Sequence, residues 1–188
     1  MPSSWTPLLL LTLLLALLLA AVATDLRSRR IPNTLVLAGI ALALMAHGLA
    51  LSGIGQPLAG ATWWAPLAGL ATGLAALMPL YLLRALGAGD VKLMAMVGAF
   101  VGAPTVLTAT LYTLLAGGLL SLAMMLGQGV AARTLANVRF VLTDWAVRLR
   151  SGHGAFTLGA TPLETTAARL PYALAIAAGT VAALVQAQ

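Results

Sequence analysis

The stretch WTPLLLLTLLLALLLAAVA, residues 5–23, contains no charged side chain, and about 20 helical residues suffice to cross the hydrocarbon core of a membrane. Similar apolar runs recur along a chain of 188 residues that is 61% hydrophobic and only 7% charged. Soluble domains carry charge on roughly a quarter of their residues. The sequence therefore predicts an all-α membrane protein, a polytopic bundle of about six transmembrane helices forming a single domain over residues 1–188.

The first apolar run has a second interpretation, a cleaved signal peptide, because Ala21-Val22-Ala23 resembles the small-residue pattern of a cleavage site. However, no basic residue precedes the run, whereas Arg27, Arg29 and Arg30 follow it. Basic residues tend to stay in the cytoplasm. This order favours a retained helix with its C-terminal end on the cytoplasmic side.

The other predicted spans follow from hydropathy and from the turn residues between them. They cover 33–51, about 63–83, 91–101, 105–126 and 171–183, with Gly102 and Pro104 closing the short fourth span. Residues 128–150 differ, because their apolar side chains recur at steps of three and four while charged side chains mark another face. This period predicts one amphipathic helix that lies in the membrane surface.

The distribution of charge predicts the topology. If the N-terminus is outside, alternation of the spans puts all ten lysine and arginine side chains on one side. The positive-inside rule makes that side cytoplasmic. The net charge of +6 is then explained by topology and by contact with anionic lipid headgroups, so no nucleic-acid partner is expected. The chain has no cysteine and only two histidines, so we predict neither a metal site nor a cofactor.

Asp25 and Asp90 are the candidate functional residues, because each lies where a predicted span meets its cytoplasmic boundary. An ionised carboxylate costs free energy there. Each carboxylate could simply pair with a neighbouring cation, which would be Arg27 or Arg29 in the first case and Arg84 or Lys92 in the second. A proton- or ion-coupled transporter could use the same two carboxylates as a relay, and a docking subunit would need neither.

The residues around each aspartate favour peptide hydrolysis. Gly87 and Gly89 precede Asp90, and glycine lets another backbone come close, as a peptide substrate must. Asp25 is followed by Ile31-Pro32-Asn33, a turn predicted to start the next helix. Two facing carboxylates that share one proton can supply both the base and the acid of hydrolysis. Which aspartate takes which part stays open, because such a pair titrates as a unit.

Two motifs carry a family resemblance. The sequence from Gly87 to Met94, GAGDVKLM, together with Asp25 and the Ile31-Pro32-Asn33 turn, resembles the catalytic motifs of the type IV prepilin peptidases. These are membrane aspartyl proteases of the GxGD class. Leu170-Pro171-Tyr172 is similar to the C-terminal segment of that family.

The resemblance implies an aspartic endopeptidase with Asp25 and Asp90 as its catalytic pair. Gly87, Gly89 and Lys92 would contact the substrate, although Lys92 could instead tune the dyad or meet a lipid headgroup. The implied substrate is a prepilin, whose short basic leader is removed at the cytoplasmic side of the bacterial inner membrane. Bifunctional members also methylate the product through a domain with paired CxxC motifs. Because this chain has no cysteine, it resembles the short, peptidase-only branch associated with Flp/Tad-type pili.

Overall fold

The computed structural model describes residues 5–83, 85–127, 139, 143 and 171–187. These residues form five helices and no strand: α1 (Trp5–Ser28), α2 (Asn33–Leu51), α3 (Ala65–Leu82), α4 (Ala88–Gly127) and α5 (Tyr172–Gln186). The first four are long and apolar enough to cross a membrane, whereas α5 has 15 residues. The chain is thus an all-helical membrane protein in the part described, and the predicted count of six spans is not confirmed.

The predicted and observed helices agree closely at α2, which has the predicted bounds. The helix α1 continues past the predicted end at Ala23 as far as Ser28. Trp63 and Trp64 are exposed just before α3 begins, a position typical of aromatic residues at a membrane interface. The amphipathic helix predicted over 128–150 lies outside the described residues, apart from Arg139 and Thr143, which are helical and exposed.

The helix α4 consists of two segments that meet at Gly102. Forty residues of straight helix would measure about 60 Å, roughly twice the thickness of the hydrocarbon core. At Gly102 the backbone leaves the helical range, with φ 80° and ψ 172°, and Pro104 follows two residues later. Only glycine adopts this conformation readily. The break predicted between the fourth and fifth spans is therefore present.

The first segment of α4 forms the core of the bundle. Its ten consecutive residues 93–102 are all buried. It crosses α3 at two glycines, because a Cβ atom on either Gly69 or Gly98 would overlap the carbonyl oxygen of the other. Gly73, four residues after Gly69, meets the backbone of Met94 in the same way. Lipid gives helices no hydrophobic reason to associate, so such close packing of small residues holds them together.

The loop between α2 and α3 packs back onto the bundle at the end where α1 begins. The buried side chain of His47 donates from Nε2 to the carbonyl oxygen of Thr62 over 3.0 Å. The carbonyl of Ala59 lies against Gly102, where a Cβ atom would collide with it. The break in α4 is thus covered by this loop.

The chain divides into two compact units. One comprises Met1–Gly117 with Pro171–Gln188, and the other comprises Gly118–Leu170. The first unit contains both candidate aspartates. Of the second unit, the end of α4 up to Gly127 is described, and it exposes Leu119, Leu122 and Leu126. The single domain expected over residues 1–188 stays a prediction.

Candidate active site

Asp25 lies in the last turn of α1, and only 7% of its surface is exposed. The helix ends three residues later, at Ser28. There the N–H of Arg29 donates to the carbonyl of Asp25 over 2.9 Å, and Arg29 has the left-handed φ of 54°. A left-handed residue commonly terminates a helix, although glycine is the usual choice. The chain then turns through Ile31 towards α2.

Asp90 lies in the first turn of α4, three residues after Gly87. Its Oδ2 accepts the N–H of Gly87 over 3.1 Å. An acidic side chain at this position often reaches back to the residue that precedes a helix, and it satisfies an amide that the helix leaves unpaired. A negative charge is also stabilised near a helix N-terminus. Asp90 therefore stabilises the N-terminus of α4, in addition to any catalytic role.

The turn after Asp25 docks onto the start of α4. Ile31 packs against Gly89, where a Cβ atom would lie 3.3 Å from the Cβ of Ile31. Next to it, Nζ of Lys92 donates to Oδ1 of Asn33 over 3.1 Å. These contacts bring Asp25 and Asp90 close enough for the charge of one to act on the other. The two motifs, far apart in sequence, thus meet at one end of the bundle.

The start of α2 differs in one detail from the expectation. Asn33 was expected to help start the helix as a capping residue, but Pro32 precedes the first helical residue and no side chain caps the end. Asn33 is that first helical residue, and its side chain accepts the Lys92 hydrogen bond instead. Asn33 therefore connects two helices.

The ion-pair explanation of the two aspartates is not supported in the part of the chain described. There Asp25 and Asp90 have backbone amides as their hydrogen-bond partners, and neither forms an ion pair. Lys92 donates to Asn33, while Arg84 lies outside the described residues. Arg27 and Arg29 are exposed.

The three predicted substrate-contacting residues all have partners within the protein. Gly87 donates its amide to Asp90, Gly89 makes room for Ile31, and Lys92 holds Asn33. Each residue type is therefore explained by folding as well. Their contacts with a substrate stay predictions.

The start of α5 also reaches the site, although the sequence predicted no part for this turn beyond the similarity of Leu170-Pro171-Tyr172 to the C-terminal segment of the family. The N–H of Ala173 donates to Oδ2 of Asp25 over 3.3 Å. Tyr172 lies close enough to Asp90 for the charge of the carboxylate to act on its hydroxyl group. The sequence contained one signal that could have identified this turn. Pro171-Tyr172 opens a span at the same predicted membrane face as the two aspartates.

The groups assembled at this end of the bundle are two carboxylates, the phenol ring of Tyr172 and two backbone amides. Within the described ranges, no cluster of three or more histidine, aspartate or glutamate side chains could hold a metal ion. Two interacting carboxylates can divide one proton between them and act as a base and an acid.

The bond between Lys92 and Asn33 should contribute modestly to stability. We expect a double-mutant cycle with Lys92→Met and Asn33→Leu to give a coupling of about 1 kcal/mol or less in the free energy of unfolding, because both side chains are exposed. Thermal unfolding in detergent of the four proteins measures it. Strictly additive effects would mean that the two side chains do not bond in the membrane protein.

Comparison with known proteins identifies a family. The model of the type IV leader peptidase family matches residues 12–122, which is more than half of the chain. The matched region contains both aspartates, the Ile31–Asn33 turn and the start of α4, whereas α5 lies beyond it. Searches of curated proteins and of solved structures found no match. The chain belongs to the type IV leader peptidase family.

Proposed function

We propose that this protein is an aspartic endopeptidase of the GxGD type in which Asp25 and Asp90 are the catalytic pair. One observation carries the proposal. The carboxylates of α1 and α4 approach each other at one end of the bundle, where each accepts a backbone amide and the charge of Asp25 acts on Asp90. Membership of a leader peptidase family supports hydrolysis as the reaction.

The pair has the groups that hydrolysis requires. The ionised carboxylate accepts a proton from water as the water oxygen attacks the scissile carbonyl carbon. The protonated carboxylate donates its proton to the carbonyl oxygen, which gives a tetrahedral intermediate with two hydroxyl groups. When the intermediate collapses, one of its hydroxyl groups gives a proton to the carboxylate that had protonated the carbonyl oxygen. The carboxyl group that took the proton from water gives it to the leaving nitrogen. The assignment of the two parts to Asp25 and Asp90 stays open, because each carboxylate accepts a backbone amide and either one could be the base.

The substrate we propose is a type IV prepilin of the Flp-like kind, cut at the leader boundary. A leader peptidase family supports a prepilin-like protein substrate. Gly87 is exposed beside Asp90, so a peptide backbone can approach the carboxylate there. Lys92 is exposed next to them and would contact the substrate or a lipid headgroup while holding Asn33.

We place the site at the cytoplasmic face of the bacterial inner membrane, with the N-terminus outside and the whole chain acting as one peptidase domain. The exposed side chains of Arg27, Arg29, Arg30 and Lys92 support this orientation, because they lie at the same end of the bundle as the two aspartates. Basic residues prefer the cytoplasmic side. A transporter using the same pair would need a water path through the membrane, and the family match favours the peptidase.

Cleavage of a precursor tests the proposal directly. The purified protein in detergent is incubated with an Flp-type prepilin, and mass spectrometry of the products locates the cut. We expect a single cut that separates the leader from the mature N-terminus. A membrane protein without such a leader serves as the control substrate and should stay intact. If no pilin-like precursor is cleaved in detergent or after co-expression in the membrane, the proposed function is wrong.

A further inference from the structure

The first turn of α5 touches the candidate dyad although it lies outside the matched family region. The match ends at residue 122, and α5 begins at Tyr172. Nothing in the two aspartate motifs requires a contribution from this part of the chain. The contacts of Tyr172 and Ala173 therefore need an explanation of their own.

The backbone of the turn holds Asp25. Ala173 is fully buried, and its N–H donates to Oδ2 of the carboxylate over 3.3 Å. Amides in the first turn of a helix have no partner within that helix. Such an amide stabilises an ionised carboxylate and fixes where its oxygen atoms point. Asp25 thereby gains a fixed position that its own helix does not provide.

The ring of Tyr172 determines where this turn lies. The ring rests on Gly117 in the second segment of α4, where a Cβ atom would come within 2.6 Å of ring atom Cε2 and 2.9 Å of the hydroxyl oxygen. No side chain larger than hydrogen fits at residue 117 unless the ring moves. The ring is half-buried, and it also lies within range of the charge of Asp90.

We infer that the first turn of α5 is a third part of the active site and that Tyr172 is its positioning residue. Because the ring packs against Gly117, it fixes the position of the turn. In that position the Ala173 N–H donates to Asp25, next to Asp90. The inference rests on the proposed peptidase function. It adds Tyr172 and the glycine that its ring packs against, Gly117, and both lie far from the GxGD motif in the sequence.

Paired alanine substitutions at adjacent glycines test the inference. In Gly117→Ala the new methyl group displaces the Tyr172 ring, whereas Gly118 has nothing within 4 Å of its Cβ position, so Gly118→Ala is the matched control. Alanine favours a helix over glycine by about 1 kcal/mol at either site, so neither change should prevent folding. We expect kcat for precursor cleavage to fall about 10- to 100-fold in Gly117→Ala. Gly118→Ala should cleave like the unaltered enzyme.

The pH dependence of kcat separates positioning from simple damage. Without the Ala173 amide, the singly ionised carboxylate pair loses a stabilising donor, so the acidic limb of the profile should move to higher pH in Gly117→Ala. Within the described residues, Asp25 interacts electrostatically with Asp90 of α4, Tyr172 of α5 lies within range of the charge of Asp90, and exposed Arg27 and Arg29 flank Asp25 on α1. A partly misfolded enzyme would instead lose activity by the same factor at every pH.

Substitutions of the ring itself give a second test. Tyr172→Phe keeps the shape that rests on Gly117 and should retain activity within about threefold. Tyr172→Ala should resemble Gly117→Ala in both kcat and pH profile. If the unaltered enzyme cleaves the precursor while Gly117→Ala behaves like Gly118→Ala, the inference fails and the proposed function stands. If the unaltered enzyme does not cleave, the proposed function itself fails.

Discussion

Replacement of either Asp25 or Asp90 with asparagine is expected to abolish precursor cleavage, with kcat/KM lower by about 10³-fold or more. Asparagine can neither accept a proton from water nor donate one to the scissile carbonyl. Loss of either carboxylate leaves the other without its partner, so both single variants should be equally inactive. Rates measured with purified protein and a prepilin substrate test this expectation.

Asparagine is the appropriate substitution because it preserves the structural contacts. Its side-chain oxygen can still accept the amide of Ala173 at position 25 and that of Gly87 at position 90. Alanine would also remove the contact that starts α4, which typically costs about 1 kcal/mol. Asp144→Asn is the matched control, because the sequence puts Asp144 on the amphipathic helix, and it should retain activity. If Asp90→Asn cleaves normally, the carboxylate of Asp90 serves only to start its helix.

The largest effect on stability is expected for Gly98→Ala. The added Cβ would overlap the carbonyl oxygen of Gly69, so the backbones of α3 and α4 must move apart. Overpacking in a core costs about 1–3 kcal/mol, and a clash between two backbones belongs at the upper end because no side chain can rotate away. The midpoint of thermal unfolding in detergent, measured on purified variants, should fall accordingly.

Gly48→Ala in α2 provides the control for this change. Nothing lies within 4 Å of the Cβ position of Gly48, so alanine there should raise stability by up to about 1 kcal/mol through helix propensity. Opposite signs for the two substitutions would demonstrate that contact with α3 causes the loss at Gly98. Equal stability of Gly98→Ala and Gly48→Ala would contradict the crossing of α3 and α4 at these glycines.

Local patterns in the sequence predicted the features that local chemistry determines. Hydropathy located α2 from Asn33 to Leu51, and the Gly102–Pro104 pair located the break in α4. The predicted end of α1 at Ala23 was too early. Charged residues mark where a helix leaves the membrane, whereas the helix itself continues as long as its backbone hydrogen bonds do. Arg29 supplies the end of the helix, six residues beyond the apolar run.

Contacts between distant segments could not be predicted from the sequence. Whether Gly89 faces a substrate or Ile31 depends on how α2 packs on α4, and one sequence does not determine that packing. The same holds for the crossing at Gly69 and Gly98 and for the amide of Ala173 on Asp25. The meeting of Asp25 and Asp90 was predictable for a different reason. The charge distribution assigned both to one membrane face, and the family resemblance paired them.

The continuous burial of residues 93–102 affects whether ions can pass along α4. Beyond the dyad, this part of α4 forms a column of about 15 Å packed with apolar side chains and glycine. Moving a charge into such surroundings costs several kcal/mol. The hydrolysis proposed above needs water only at the end where the two aspartates lie, so a column along α4 that excludes ions is compatible with a membrane that holds an ion gradient.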